Sequence, residues 1–280
     1  MAPKTIVITG CSPGGIGSAL AREFRMRGHT VYASGRSPNG IDPALVTLGC
    51  RTLTLDVTVA QSIADAQATV AAATGGRLDV LINNAGVLSA LPFADTPVDE
   101  ARRVFEVNVL GVWAVTRAFL PLLLAARGIV ANMGSVNDVF CPPFMAAYSA
   151  SKAAVEAMGR CMRKELAPLR VRVVTLKTGS VRSSLFTNAS PTLPEDSLYA
   201  PLKAWIEGQG YLGPARFQNA DDYARQIVND LLKDKVRAVV WRGGLTTVGW
   251  FLSWFGWETM LDGQMIKGNG LHKLRLADSA

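Results

Sequence analysis

Tyr148 and Lys152 stand four residues apart in Tyr148-Ser149-Ala150-Ser151-Lys152, within a stretch whose apolar spacing predicts a helix over Ala147–Leu166. Positions i and i+4 share one helix face, so the phenol and the ammonium project toward the same pocket. A cation beside a phenol favours phenolate. The expectation is therefore a Tyr148 pKa lowered toward working pH, as a general acid/base requires. Ser135 follows an apolar run upstream, where its hydroxyl could hydrogen-bond a reacting carbonyl. Asn108, in Val107-Asn108-Val109-Leu110-Gly111, falls mid-helix, where Asn is disfavoured unless it has a task. A lone Tyr-x-x-x-Lys pair is usually helix surface; these four residues together read as a proton-transfer site.

A second group of residues suits a nucleotide. Thr9-Gly10-Cys11-Ser12-Pro13-Gly14-Gly15-Ile16-Gly17 directly follows one candidate strand and opens a helix. Gly10, Gly15 and Gly17 let the backbone turn sharply and approach a pyrophosphate, whose charge is met by the helix N-terminus; Ser12 and Ile16 lie in the same turn. A purely structural turn also uses glycine, but the strand–turn–helix context is the one a dinucleotide site requires. At the end of the second strand, Ala33-Ser34-Gly35-Arg36-Ser37 offers no carboxylate for a ribose 2′-hydroxyl. Arg36, with Ser34 or Ser37 beside it, suits a 2′-phosphate, so NADP(H) is the expected cofactor; an unengaged surface arginine is the competing reading. Asp56, ending the third strand, fits an acceptor for the adenine amino group or a cap for the next helix. In Asn83-Asn84-Ala85-Gly86, small residues allow the backbone to pass close to a bound ring system, and Asn side chains stitch strand ends together.

The elements that must position these groups follow from periodicity. Strands are expected at Thr5–Thr9, Thr30–Ala33, Arg51–Leu55, Val80–Ile82, Ile129–Met133, Val171–Leu176 and Ala238–Trp241. Helices are expected at Ile16–Arg27, Ala60–Ala73, Asp99–Ala126 with a break near Gly111, and Ala147–Leu166. Near-continuous apolar strands separated by helices imply an α/β, Rossmann-type doubly wound parallel sheet covered on both faces. No linker interrupts the alternation, so residues 1–280 are expected to form one domain. Residues 183–217, rich in Ser, Pro, Gly and aromatics, read as a substrate loop with short helices of its own. From 243 to 280 runs an extension holding Trp250, Phe251, Leu252, Trp254, Phe255 and Trp257, too interrupted for a membrane span. It is expected to contact substrate, a partner or a membrane surface, with Asp262, Lys267, His272, Lys273 and Arg275 returning the chain to polar surface.

Composition removes other classes. With 49% apolar residues the chain is globular, and its net charge of +7 is scattered rather than gathered in a nucleic-acid stripe. Two histidines and four cysteines without ligand spacing leave no zinc, heme or iron–sulfur pattern. The opening MAPKT leads straight into an apolar strand, so Cys11, Cys50, Cys141 and Cys161 read as reduced thiols of an intracellular chain, cytoplasmic or peripheral on an internal membrane. Phe140, Cys141, Phe144 and Met145 suit either the substrate pocket or core packing.

The Gly-rich turn, Asn-Asn-Ala-Gly, Asn108, Ser135 and Tyr-Ser-Ala-Ser-Lys, in this order, resemble the short-chain dehydrogenase/reductase family over nearly the whole chain. The resemblance implies a Rossmann domain, a nicotinamide cofactor and hydride transfer. It makes Tyr148 the acid/base, Lys152 its tuner and ribose contact, Ser135 the carbonyl orienter, and Asn108 the holder of a relay water. It also implies a nicotinamide contact at Val181 and a pyrophosphate contact at Ser183, and a homodimer or homotetramer built through the long helices. Leu193-Pro194-Glu195-Asp196-Ser197-Leu198-Tyr199, Asp222-Tyr223-Ala224-Arg225-Gln226 and Arg242-Gly243 resemble the fungal branch typified by 1-acyl-dihydroxyacetone-phosphate reductase. Two departures from the family pattern stand out. The Gly-rich turn carries one extra residue, at Pro13 or Gly14, and Thr178-Gly179-Ser180 replaces the usual Pro-Gly. The expected activity is NADPH-dependent reduction of an apolar ketone or aldehyde. Reduction of an acyl-dihydroxyacetone phosphate and a redox-silent cofactor-binding scaffold are the rivals.

Overall fold

The computed structural model describes residues 2–274. Seven strands, β1 (Thr5–Ile8), β2 (Thr30–Gly35), β3 (Arg51–Thr54), β4 (Val80–Asn83), β5 (Ile129–Met133), β6 (Arg172–Thr178) and β7 (Val239–Arg242), form one sheet in the order β3-β2-β1-β4-β5-β6-β7. Every pairing is parallel, as continuous apolar strands joined by helical crossovers require.

Alternate residues feed two cores. Ile6, Ile8, Ala131 and Met133 pack under α1 (Ile16–Met26) with Leu20 and Phe24, and with Tyr223 and Ile227. Val7, Leu81 and Val130 face the other side, against Ile63, Val70, Val115 and Phe119. The short helix α2 (Pro43–Thr47) is capped by Asp42; α3 (Ala60–Thr74), α4 (Val98–Phe105), α5 (Gly111–Ala126), α6 (Asn137–Phe140) and α7 (Ala146–Leu166) follow in order. The expected break in the long helix is a π-turn over Glu106–Leu110 that contains Asn108 and ends at Gly111. A Cβ on Gly111 would lie 2.7 Å from Val57 Cγ2, so the close approach there needs glycine.

After β6 the chain forms α8 (Ser184–Thr187) and α9 (Lys203–Glu207), the short helices expected of the substrate loop. The helix α10 (Ala220–Leu231) was not anticipated. It packs along α1 through Tyr223, Ala224, Ile227 and Val228, at helical spacing, behind an Asn219 cap and two first-turn acids. Beyond β7 come α11 (Thr246–Phe255) and α12 (Asp262–Gly268). The expected polar residue Arg275 lies outside the described residues.

Candidate active site

The order of the strands reverses at β1 and β4, which opens a crevice at their carboxyl ends. Gly10 sits in it at φ +73, and a Cβ there would lie 2.8 Å from Ala85 Cα. A Cβ on Gly17 would overlap the Gly10 carbonyl. The extra residue of the turn is explained by geometry. Gly15 N donates to Ser12 O at 3.0 Å, with Pro13 and a positive-φ Gly14 between them, the residue choices of a type II turn. Helix α1 therefore begins at Ile16, behind Gly15, as in a shorter turn.

Asn84 stitches the crevice: its Nδ2 donates to Thr9 O at 2.8 Å and Gly10 O at 2.9 Å. Asn83 does the same one strand over, donating to Thr116 and Asn132. Gly86 leaves a small gap; a Cβ there would lie 3.2 Å from Asn108 Oδ1 and 3.9 Å from Lys152 Nζ. At the β2 end Arg36 and Ser37 are exposed, while the Ser34 hydroxyl is buried without a hydrogen-bond partner. Asp56 Oδ1 accepts from Thr58 N and Oγ1 in a local turn, but it does not cap α3, whose N-cap position is Val59. Cys11 is fully buried and its thiol is pushed up to about 12 by burial, which removes it as a reactive thiol.

Helix α7 buries one stripe: Tyr148, Ser151, Lys152, Val155, Glu156 and Gly159. Ser135, just past β5, reaches Tyr148 with its hydroxyl, and also accepts from Asn137 N at 3.1 Å. Lys152 Nζ donates to Met133 O at 2.8 Å and lies 5.6 Å from the Tyr148 ring centroid. Asn108 is held on all sides, Oδ1 accepting from Val87 N while Nδ2 donates to Val87 O and Ser151 Oγ. Ser151 is thus a supporting residue that the sequence reading passed over inside its own motif.

The expected lowering of the Tyr148 pKa is not what the structure shows. Burial pushes the phenol up to about 12, against the Ser135 hydrogen bond that pulls it down. The same burial pushes the Lys152 ammonium down to about 8, outweighing the opposite pull of the Asp138 carboxylate, while for Tyr148 that carboxylate adds to the effect of burial. Tyr148 is a neutral acid in this pocket. Its wall is apolar: Leu88, Ala90 and Met145, with Leu185, Phe186 and Leu212 from the substrate loop.

The segment after β6 closes over the Gly-rich turn, with Ser184 N donating to Gly14 O at 3.2 Å. Gln218 pairs with Ser180 and Arg182 on one edge, which turns the Val181 peptide toward the other. Gly244 holds Ser180 through both backbone groups, at 3.0 and 3.1 Å. Ser183 Oγ, like Ser34 Oγ, is buried without a partner. Two glycine positions that a Cβ would fill, and two orphaned hydroxyls around them, fit a dinucleotide laid across the crevice.

Cys141 and Phe144 do not share Tyr148's side of α7. They line a cavity of about 470 Å³ with Pro92, Tyr199, Ala150 and Ala153, on a face of the helix turned away from the Tyr148–Lys152 stripe. Among the described residues no group of three His, Cys, Asp or Glu side chains could hold a metal.

The model of the short chain dehydrogenase family matches residues 4–194. The chain belongs to that family and is an oxidoreductase of alcohol and carbonyl groups. It is similar to the short-chain dehydrogenase/reductase GME11361 of Pestalotiopsis microspora, 37% identical over 89% of this chain and 88% of that protein. Among solved structures, it resembles a short-chain dehydrogenase of Streptomyces avermitilis (TM-score 0.79, 27% identity, 98% of each chain). It also resembles one of Burkholderia cenocepacia in complex with NADP (TM-score 0.72, 25% identity, 94% and 98% of the chains). The fungal relatives are named as short-chain dehydrogenases, so the finer likeness to acyl-dihydroxyacetone-phosphate reductases finds no support in them.

Proposed function

We propose that the protein is an NADPH-dependent reductase of an apolar ketone or aldehyde. The observation that carries this reading is the convergence of Ser135, a neutral buried Tyr148 and Lys152 beside the glycine crevice, under an apolar lid. Arg36 and Ser37, exposed at the β2 end where a 2′-hydroxyl acceptor is missing, support NADP(H) over NAD(H). Gly10, Ser12, Gly15, Ile16 and Gly17 would hold the pyrophosphate with Ser183. Asp56 Oδ2 would accept the adenine amino group, Asn84 and Gly86 would shape the floor, and the Val181 peptide would meet the nicotinamide amide.

Bound NADPH supplies a hydride to the carbonyl carbon. Ser135 donates a hydrogen bond to the carbonyl oxygen and fixes it near Tyr148, which gives up its proton there. A phenol held neutral by burial is the right protonation state for that step at neutral pH, and the adjacent Lys152 ammonium stabilises the phenolate left behind. Asn108, bonded through both side-chain groups, ties the chain at Val87, four residues beyond β4, to Ser151 of α7 and so keeps Lys152 in place. The apolar wall of Leu88, Met145, Leu185, Phe186 and Leu212 suits a substrate that gains by leaving water, a specialised metabolite or lipid. A screen of apolar ketones and aldehydes with NADPH tests the reading. Turnover that prefers NADPH supports it, whereas cofactor binding without oxidation by any carbonyl would favour the scaffold.

A further inference from the structure

Three charged side chains outside the proton-transfer set meet behind it. Asp138 comes from α6, Lys177 from β6 and Glu156 from α7, with side chains 5%, 5% and 8% exposed. Lys177 Nζ pairs with Asp138 Oδ2, lies 3.5 Å from Glu156 Oε2, and sits 5.6 Å from the Trp241 ring centroid on β7. The other Glu156 oxygen accepts from Arg160 Nε at 2.9 Å. Asp138 Oδ1 and Glu156 Oε2 are buried without a hydrogen bond.

A buried ion group of this kind is a poor way to gain stability, because desolvating the charges can cost more than their attraction returns. Its location suggests another use. Asp138 is three residues beyond Ser135 in the same turn, and Glu156 is one helical turn beyond Lys152 on the stripe that carries Tyr148. Lys177 stands at the end of the strand that leads to Val181. One cation therefore joins the three segments that must stay in register for the reaction.

We propose that Asp138, Lys177 and Glu156 form a positioning unit, clamping the Ser135 turn to the Tyr148 helix. Asp138 is paired with Lys177 from β6, and its charge is felt by Tyr148 and Lys152 on α7 and by Cys141 at the end of its own turn, while Glu156 on α7 acts on Asp138 in turn. Helix α11, which packs on α6, brings no charged side chain over Thr246–Phe255. The Asp138 carboxylate acts on Lys152 against the burial that pushes the ammonium down, and so helps keep it charged. The kinetic role of the unit rests on the reductase reading; its electrostatic effect on Lys152 does not.

The test is an NMR titration of the full chain, labelled with the heavy carbon isotope at lysine Cε. Lys152 is assigned by the resonance that disappears in Lys152→Arg. The parent protein should titrate at Lys152 near pH 8. Asp138→Asn should lower that midpoint by roughly half a unit or more, since the carboxylate no longer favours the ammonium. Should this variant not fold, Asp138→Asn/Lys177→Met, which removes the buried pair as a whole, carries the test in turnover. In turnover, the folded variant should lose about tenfold in kcat with little change in KM for NADPH, as expected when reacting groups are misplaced but binding is kept. An unmoved Lys152 midpoint in folded Asp138→Asn, the parent kcat in the double variant, or failure of both variants to fold would overturn the proposal in favour of a purely structural pair. The midpoint is read without substrate, so its outcome is separate from that of the reductase reading, which fails if the parent transfers no hydride.

Discussion

The cofactor crevice and the segment beyond residue 183 are built in opposite ways. Around Gly10, Gly17, Asn84 and Gly86, backbone approaches backbone so closely that a single added carbon has no room, and side-chain amides tie the strand ends together. Beyond Ser183 the chain makes short helices held by aromatic contacts, such as Phe144 with Tyr199, Trp205 and Tyr211. It runs on through α11, where Trp254 and Phe255 are 71% and 65% exposed, past Trp257, 65% exposed, to α12. The first region answers to a ligand whose shape is fixed. Apart from α10 and β7, which pack on α1 and β6, the second is an apolar cover joined to the first at few points, among them the Ser180–Gly244 and Gly14–Ser184 contacts. A family can keep its cofactor chemistry and change its substrate when the two jobs are divided in this way.

The largest expected effect lies where the two regions meet. Tyr148→Phe deletes one hydroxyl and should leave NADPH binding intact, while turnover falls by ~10²–10⁴-fold, the usual contribution of general acid catalysis. Near-normal reduction by this variant would take the proton-transfer role away from Tyr148. Next comes Arg36→Ala. A charge-assisted contact contributes roughly 1.5–3 kcal/mol, so the preference for NADPH over NADH should narrow by about 10–100-fold, as read from kcat/KM for each cofactor. An unchanged preference would return Arg36 to an unengaged surface residue.

Gly17→Ala sharpens the contrast in packing. Its added carbon meets the Gly10 carbonyl and the Asn84 amide, and should cost about 1–3 kcal/mol of stability together with weaker NADPH binding. Retention of both the parent unfolding midpoint and its NADPH affinity would show that the crevice is looser than described.

How much of this was legible in the sequence follows the same division. The Tyr148–Lys152 pair was readable because a helix converts a spacing of four into a shared face. The break near Gly111 was readable because Asn and Gly both stand badly inside a helix. Helix α10 left signals that went unread: Asn219 before Asp221 and Asp222, then Tyr223, Ala224, Ile227 and Val228 at helical spacing. The Asp138–Lys177–Glu156 group left none, since its members come from three elements and meet only when the sheet and α7 pack. The direction of the Tyr148 shift was misjudged for a similar reason. Spacing shows which charge is near, but burial decides which influence wins, and burial is a property of the folded chain.

The smallest effect on chemistry belongs to the tail. Its aromatics, expected to contact substrate, a partner or a membrane surface, are exposed within this chain at Trp250, Phe251, Trp254, Phe255 and Trp257; Leu110 and Trp113 at the start of α5 are exposed as well. Truncation after Arg242 is a poor probe, because it removes the Gly244 backbone that holds Ser180. Trp254→Ser with Phe255→Ser is the better one, lying a full helix away from that contact. Turnover should stay within about twofold, since such surface substitutions disturb folding little, while self-association by sedimentation or partition onto anionic liposomes should fall. An unchanged rate, oligomeric state and liposome partition would leave the aromatic helix without a binding role.

The central claim is that Ser135, Tyr148 and Lys152 make the glycine crevice a site of carbonyl reduction. It is tested most directly by following a label from cofactor to product. NADPH deuterated at its transferring position is mixed with the wild-type protein and a panel of apolar ketones, and products are analysed for deuterium at the new carbinol carbon. The account predicts label at that carbon with wild type, and at least ~10²-fold less labelled product over the same time with Tyr148→Phe. NADPH that binds but delivers deuterium to none of the carbonyls, or equal labelling by the two proteins, would contradict it.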